Sequence, residues 1–157
     1  MTIVLVTTSH NTVRDCLERL PDISLHTVDC HDDYATIGER LARAVAEHSP
    51  DVIISYRCPY IIPRAVYMSA RMGAYNIHPS LLPAYAGLNP WDEIFKNRET
   101  AGGVTLHRIT ERVDGGEIIY QHSFVINPDN PVETARHESD VIAAQLACQL
   151  LNSISEI

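Results

Sequence analysis

The stretch Gly73-Ala74-Tyr75-Asn76-Ile77-His78-Pro79-Ser80-Leu81-Leu82-Pro83 decides the fold. It begins as a short apolar strand and ends as a rigid, proline-rich loop. Side chains two apart on a strand share a face, so Asn76 and His78 point one way and Tyr75 and Ile77 the other, into a core. Pro79 restrains His78 to extended backbone, and Pro83 stiffens the exit. An amide and an imidazole thus stand side by side at the C-terminal end of a strand, where open α/β sheets place their ligands.

Upstream, Ile3-Val4-Leu5-Val6 is a continuous apolar run and reads as a buried parallel strand. Thr7-Thr8-Ser9-His10-Asn11 follows, with Asn11 or Thr12 as N-cap of a helix carrying Val13, Cys16, Leu17 and Leu20 and stopped by Pro21. A helix N-terminus attracts anions, but this loop has no glycine to let its backbone close on a phosphate, so it reads as a structural connection. Residues 23–28 alternate as a second strand. Residues 33–48 form an amphipathic helix with Ile37, Leu41, Ala44, Val45 and His48 near one face, ended by Pro50. Asp51-Val52-Ile53-Ile54-Ser55 is a third buried strand, residues 56–63 a loop, and Ala65 to Arg71 a short helix ended by Gly73. The order β-α-β-α-β is the mononucleotide-type half of an α/β sheet.

Downstream, Pro90 opens a helix through Asn97, with Trp91 and Phe95 on one face toward the core. Thr100 to Ile109 and Ile118 to Ile126 are strands joined through Asp114-Gly115-Gly116, a connection compatible with an antiparallel pair. Residues 132–155 form a helix whose Val132, Ala135, Ile142, Ala143, Leu146, Leu150 and Leu151 can cover a sheet face. The expected fold class is α/β: a Rossmann-like, mostly parallel sheet flanked by helices, with a C-terminal antiparallel strand or hairpin and a terminal helix.

Composition narrows the function classes. The 157 residues fit one domain, 1–157, with hydrophobic residues at 45% and charged residues at 20%, as in a soluble globular protein. The net charge is −8 and lysines and arginines do not cluster, so no nucleic-acid partner is expected. No apolar run has transmembrane length, and the first residues lack the basic lead of a signal peptide, so no membrane partner and a cytoplasmic location are expected. Four scattered cysteines without a Cys-x-x-Cys pair read as four reduced thiols. Eight histidines show no His-x-His or His-x-x-x-His spacing, so no metal is expected.

Three ordered motifs carry a resemblance: Asn76 to Pro83, Gly103-Val104-Thr105-Leu106-His107, and Val113-Asp114-Gly115-Gly116-Glu117-Ile118-Ile119. In this order and spacing they resemble the folate-dependent formyltransferase family, closely over residues 51–127 and weakly before. The resemblance implies 10-formyltetrahydrofolate as formyl donor and Asn76, His78 and Asp114 as catalytic residues. It implies a folate pocket drawn from Arg57, Cys58, Tyr60, Ile61 and Ile62 on one loop, Leu81 in the proline-rich run, and Thr110 and Val113 beside Asp114. Composition alone equally allows Tyr60, Ile61 and Ile62 to tuck under the sheet. Against the family pattern, the first half is abbreviated, and Ala86 stands where an arginine is common. A short first half leaves apolar surface that a second copy of the chain, in a homo-oligomer, would cover.

The chemistry fits these residue types. Acyl transfer to an amine needs a donor to the developing oxyanion, a proton acceptor, and a cavity that holds both reactants. Asn76 offers an amide N–H, His78 a proton near its reference pKa of about 6.5, and Asp114 a carboxylate. Each alone has a structural alternative: Asn-x-His as a hydrogen-bonded turn, Asp-Gly-Gly as a plain turn, His107 as a satisfied core histidine, Ser80 as a loop-capping hydroxyl. Among family acceptors, a small-molecule amine is expected, with an amino sugar on a nucleotide carrier favoured by elimination. Initiator-tRNA enzymes carry an additional domain and basic surfaces, and phosphoribosyl-amine enzymes carry a glycine-rich loop. A formyltetrahydrofolate deformylase, a phosphoribosyl-amine formyltransferase and a non-catalytic folate-binding module are the alternatives.

Overall fold

A computed structural model describes residues 1–8, 11–31 and 33–156. Ser9 and His10 of the first loop lie outside the described residues. Strands buried almost continuously at the centre build a six-stranded sheet in the order β2-β1-β3-β4-β5-β6. Its strands are β1 (Thr2–Thr7), β2 (Ser24–Asp29), β3 (Val52–Tyr56), β4 (Gly73–His78), β5 (Ala101–Arg108) and β6 (Ile118–Val125). The first four are parallel, because each returns through a crossover of the chain, whereas β5 and β6 run antiparallel. This is the mixed, mostly parallel sheet that the sequence pattern leads one to expect.

Successive strand residues enter opposite cores. Ile3, Leu5, Ile54, Tyr56, Ile77 and Leu106 face α1 (Thr12–Glu18) and α5 (Val132–Ser155). Val4, Val6 and Ile53 face Ile37 and Leu41 of α2 (Ile37–His48) and Val66 and Tyr67 of α3 (Arg64–Tyr67). A satellite cluster joins Trp91 and Ile94 of α4 (Pro90–Lys96) to Ile126 and Ala135. Asn11, not Thr12, caps α1, its side chain accepting from the N–H of Arg14. A 3-10 turn, Tyr34–Thr36, occupies the start of the segment expected to be wholly α-helical.

Two expectations need correction. The helix expected over Ala65 to Arg71 has only four residues, Arg64–Tyr67, because the chain must turn at Met68 to re-enter the sheet at Gly73. The cysteines are not all reduced. Cys30, one residue past β2, is bonded to Cys58, two residues past β3, with Cα atoms 5.9 Å apart. The sheet order accounts for the pairing: β2 and β3 flank β1, so cysteines 28 positions apart in sequence meet above its end. Cys16 and Cys148 are free, and burial together with the Cys16 neighbour pushes the Cys148 thiol up to about 12. Among the described residues no helix is long and apolar enough to cross a membrane, and no His/Cys/Asp/Glu group is placed to hold a metal.

Candidate active site

The expected strand end forms as the alternation dictates. Tyr75 and Ile77 are buried in the core shared with α5, while Asn76 and His78 face the opposite side of β4. The following loop is pinned by Thr105, whose hydroxyl donates to the Ser80 carbonyl (2.7 Å) and accepts from the Leu82 N–H (3.1 Å) and the Gln121 amide (2.8 Å). Ser80 caps the loop by donating to the Ala84 carbonyl at 2.7 Å. The loop then passes Tyr85 over the imidazole of His78.

Asp114 arrives from the connection between β5 and β6. That connection doubles back tightly: a Cβ on Gly116 would collide with the Arg108 carbonyl, so only glycine lets the chain return there. Asp114 itself takes the left-handed conformation, φ 51°, which aims its carboxylate at β4. One oxygen accepts from the Gly87 N–H at 2.8 Å and stands 3.6 Å from Nδ1 of His78. The other lies 3.5 Å from Nε2 of His107. Burial pushes the Asp114 carboxyl up. The neighbouring imidazole of His107, the Gly87 N–H and the imidazole of His78 together outweigh burial, and the net shift is downward, so the group is a carboxylate at neutral pH.

The two histidines are held differently. Nε2 of His78 donates to the Tyr85 carbonyl at 2.9 Å, which leaves Nδ1 beside Asp114. Nδ1 of His107 donates to the Arg108 carbonyl at 3.0 Å, so in the neutral ring Nε2 accepts the Asn76 amide at 3.2 Å. That bond orients Asn76 and, among the described residues, leaves its second N–H unengaged. Protonated His107 would turn Nε2 into a donor toward Asp114 and release Asn76. His107 is therefore part of the web as well as of the core, and its place opposite Asn76 across the β4–β5 ladder puts it there.

A cavity of about 580 Å³ opens at this rim. Asn76, His78 and Asp114 all line it, as expected. So do Arg57, Cys58, Tyr60, Ile61 and Ile62 on one flank, and Thr110 and Val113 on the other. On the first flank Ile62 is buried and Tyr60 packs on α2, its hydroxyl against Gly38, while Ile61 is 69% exposed. Cys58 contributes to this wall as half of the disulfide. Leu81 is the exception. It does not line the cavity but packs on Gly103 of β5, because the pinned loop turns it over the neighbouring strand. Ala86 is exposed and also off the wall, next to lining residue Gly87.

The wall residues contributed by α5, Arg136, Ser139 and Asp140, had no functional reading in the sequence. Tyr56 ends β3 and donates its hydroxyl to Asp140 of α5, and burial, ahead of that carboxylate, pushes the phenol pKa far up. Arg57 stands 3.5 Å from the same Asp140. Arg136 and Ser139 of α5 complete this side. The signal available was the apolar stripe of the last helix, in which Ser139 takes a core position between Ala135 and Ala143. Backbone conformation marks the rim too. Of seven non-glycine residues with positive φ, Arg57, Asn89 and Asp114 line the cavity, and Tyr85 holds His78.

The residues around this opening fit a flat heterocycle such as a pterin. A flat heterocycle needs an apolar cleft with backbone at its edge, and the exposed Ile61, Val113 and Leu88 supply apolar walls on three loops around one opening.

Comparison with known proteins agrees with the fold and extends it. The family model described as Formyl transferase matches residues 1–146. A formyltetrahydrofolate deformylase from Pseudomonas syringae superposes with a TM-score of 0.78 at 20% identity, over 96% of this chain and 59% of that one. A phosphoribosylglycinamide formyltransferase from Streptococcus pneumoniae superposes with a TM-score of 0.76 at 17% identity, over 98% and 99% of the two chains. HypX from Aquifex aeolicus, in complex with tetrahydrofolic acid, gives 0.75 at 22% identity, with this chain spanning 26% of its length. The match reaches across both halves of the sheet, the abbreviated first half included, and the chain belongs to the formyl transferase family.

Proposed function

We propose that this chain is an enzyme that transfers a formyl group from 10-formyltetrahydrofolate to a primary amine of a small molecule. The observation that carries the reading is the convergence of Asn76, His78 and Asp114 on one cavity, with Asp114 seated between two imidazoles. The amine nitrogen bonds to the formyl carbon, the bond from that carbon to N10 of the donor breaks, and tetrahydrofolate leaves with a proton on N10 in place of the one the amine gives up. Asn76, fixed by His107, directs its unengaged N–H at the formyl oxygen as negative charge gathers there. His78 presents Nδ1 beside Asp114, in position to donate to that oxygen or relay a proton. Asp114, kept ionised, stands against Nδ1 of His78 and accepts the proton that the amine gives up, directly or through water. No side chain need become covalently attached, so the site works without an activated serine or cysteine.

The flank of Arg57 to Ile62 and the flank of Thr110 and Val113 hold the pterin of the donor, with Ile61 and Val113 against its faces. An amino sugar on a nucleotide carrier is the acceptor class this reading favours. The family resemblance and the absence of glycine from residues 7–11 support it. The domain is proposed to act as one unit over residues 1–157.

Donor turnover tests the proposal. Purified protein is mixed with 10-formyltetrahydrofolate, with and without a panel of amines, and tetrahydrofolate formation is followed by absorbance. Turnover that requires an amine is the expected result. Turnover independent of any amine would make the chain a deformylase with water as acceptor. Donor binding without turnover under either condition would overturn the enzymatic reading in favour of a folate-binding module.

A further inference from the structure

The cavity has two sides, and only one takes part in the chemistry above. Asn76, His78, Cys58, Tyr60 and Ile62 lie on the α2–α3 side of the sheet, whereas Tyr56 and α5 lie on the other, with Arg57 reaching across to Asp140. On that second side, Ser139 is 1% exposed, lines the cavity, and has no hydrogen-bond partner for its hydroxyl. A buried helical serine ordinarily returns its proton to a carbonyl three or four residues back. Two others in α5 do so: Ser153 donates to Leu150 and Ser155 to Leu151. Ser139 departs from its own helix's habit.

Arg136 stands three residues earlier, hence on the same helical face. Its Nε is buried without a partner, and among the described residues its guanidinium makes no ion pair. The adjacent Asp140 cannot serve it, being engaged by the Tyr56 hydroxyl and Arg57. What α5 offers the cavity is therefore a positive charge and a hydroxyl, and among the described residues neither the Arg136 Nε–H nor the Ser139 hydroxyl has an acceptor. Such a pair matches an anionic oxygen group, a carboxylate or a phosphate, by charge-assisted hydrogen bonds.

We propose that Arg136 and Ser139 form an anion subsite for the acceptor, so that the amine to be formylated carries a carboxylate or phosphate on the same molecule. This rests on the formyl-transfer reading, since it places the acceptor on the α5 side and the donor on the other. Tyr56 and Arg57, by holding Asp140 away from the opening, keep its negative charge off the incoming anion.

The test uses the whole chain in two independent arms. In the first, inorganic phosphate and acetate are titrated against wild type, Arg136→Gln and Ser139→Ala, with binding read by calorimetry. Wild type is expected to bind phosphate, acetate or both, Arg136→Gln to lose roughly tenfold or more, and Ser139→Ala to lose severalfold. Ser139→Ala also removes an unpaired buried hydroxyl, so its melting temperature should rise while its anion affinity falls. A structural serine would not move the two in opposite directions. Tetrahydrofolate binding should be unchanged in both variants. In the second arm, amines bearing a carboxylate, a phosphate monoester, a nucleotide diphosphate or no charge are offered with the formyl donor. KM for the productive amine should rise roughly tenfold in Arg136→Gln with a smaller change in kcat. The subsite is overturned if neither anion binds wild type, if both variants bind like wild type, or if the productive amine is uncharged. If anions bind through Arg136 but no amine is formylated, the formyl-transfer reading fails while the subsite stands.

Discussion

Two walls of one cavity differ in how completely their polar atoms are paired. On the β4 wall, both nitrogens of His78 and of His107 and both oxygens of Asp114 have neighbours within 3.6 Å. On the α5 wall, Arg136 and Ser139 face the same space with no partner among the described residues. The contrast separates two jobs. Groups that perform a reaction gain from being oriented before the reactants arrive, because reorganising dipoles during the reaction costs rate. Groups that recognise a ligand must keep their donors available to it. A paired wall reads as chemistry and an unpaired wall as recognition.

The largest expected effect comes from breaking the paired wall at its centre. Asp114→Asn keeps the shape and the tolerance for a left-handed backbone but removes the charge that both imidazoles face. Formyl transfer should fall by about a thousandfold or more while donor binding survives, as a titration alongside the absorbance assay would show. Turnover at the wild-type rate would end the assignment of Asp114.

A second change sharpens the comparison from the side of the folate flank. Opening the Cys30–Cys58 bond, by reduction or as Cys30→Ser, should lower stability by about 3 kcal/mol, the scale for a loop of this length, read as a fall in the urea midpoint. Because Cys58 sits in the folate flank, tetrahydrofolate affinity should fall with it, whereas anion binding at α5 should not.

Next in size is His107→Gln, which keeps a polar side chain but loses the imidazole bond that sets Asn76. We expect kcat to fall by roughly tenfold with little change in either KM, a split that a merely loosened core would not give. The smallest effect is acid sensitivity. Asp114 has a folded-state pKa below its ordinary value of 3.8. Its ionised form therefore adds stability that is fully present above that value and is lost as pH falls through the lower, folded one. The stability gap between wild type and Asp114→Asn should shrink as pH falls below 3.8, as denaturant melts across acid pH would show.

The paired wall was legible in the sequence and the unpaired wall was not, for a physical reason. Asn76, His78 and Asp114 sit where alternation and turn residues dictate position, so their convergence follows from local rules and motif order. Arg136 and Ser139 lie in a helix read through its apolar stripe, and nothing local says that α5 passes the strand ends. The same holds for the disulfide, which depends on β1 lying between β2 and β3. Leu81 misled because its neighbours belong to the site while its own side chain turns over Gly103. The helix expected over Ala65 to Arg71 misled because propensity says nothing of where the chain must rejoin the sheet.

The left-handed residues at the rim bear on how this protein could be made more heat-resistant. Each non-glycine residue held at positive φ gives up roughly 1 kcal/mol relative to glycine, less for asparagine and aspartate. Replacing such residues is an ordinary route to a higher melting temperature. Among the described residues three of the seven positions line the cavity and a fourth, Tyr85, holds His78, so most of that reserve is out of reach without disturbing Asp114, Arg57, Asn89 or the Tyr85 carbonyl. Asp22, Ser49 and Arg98 lie away from the cavity, and thermostabilising glycines belong there.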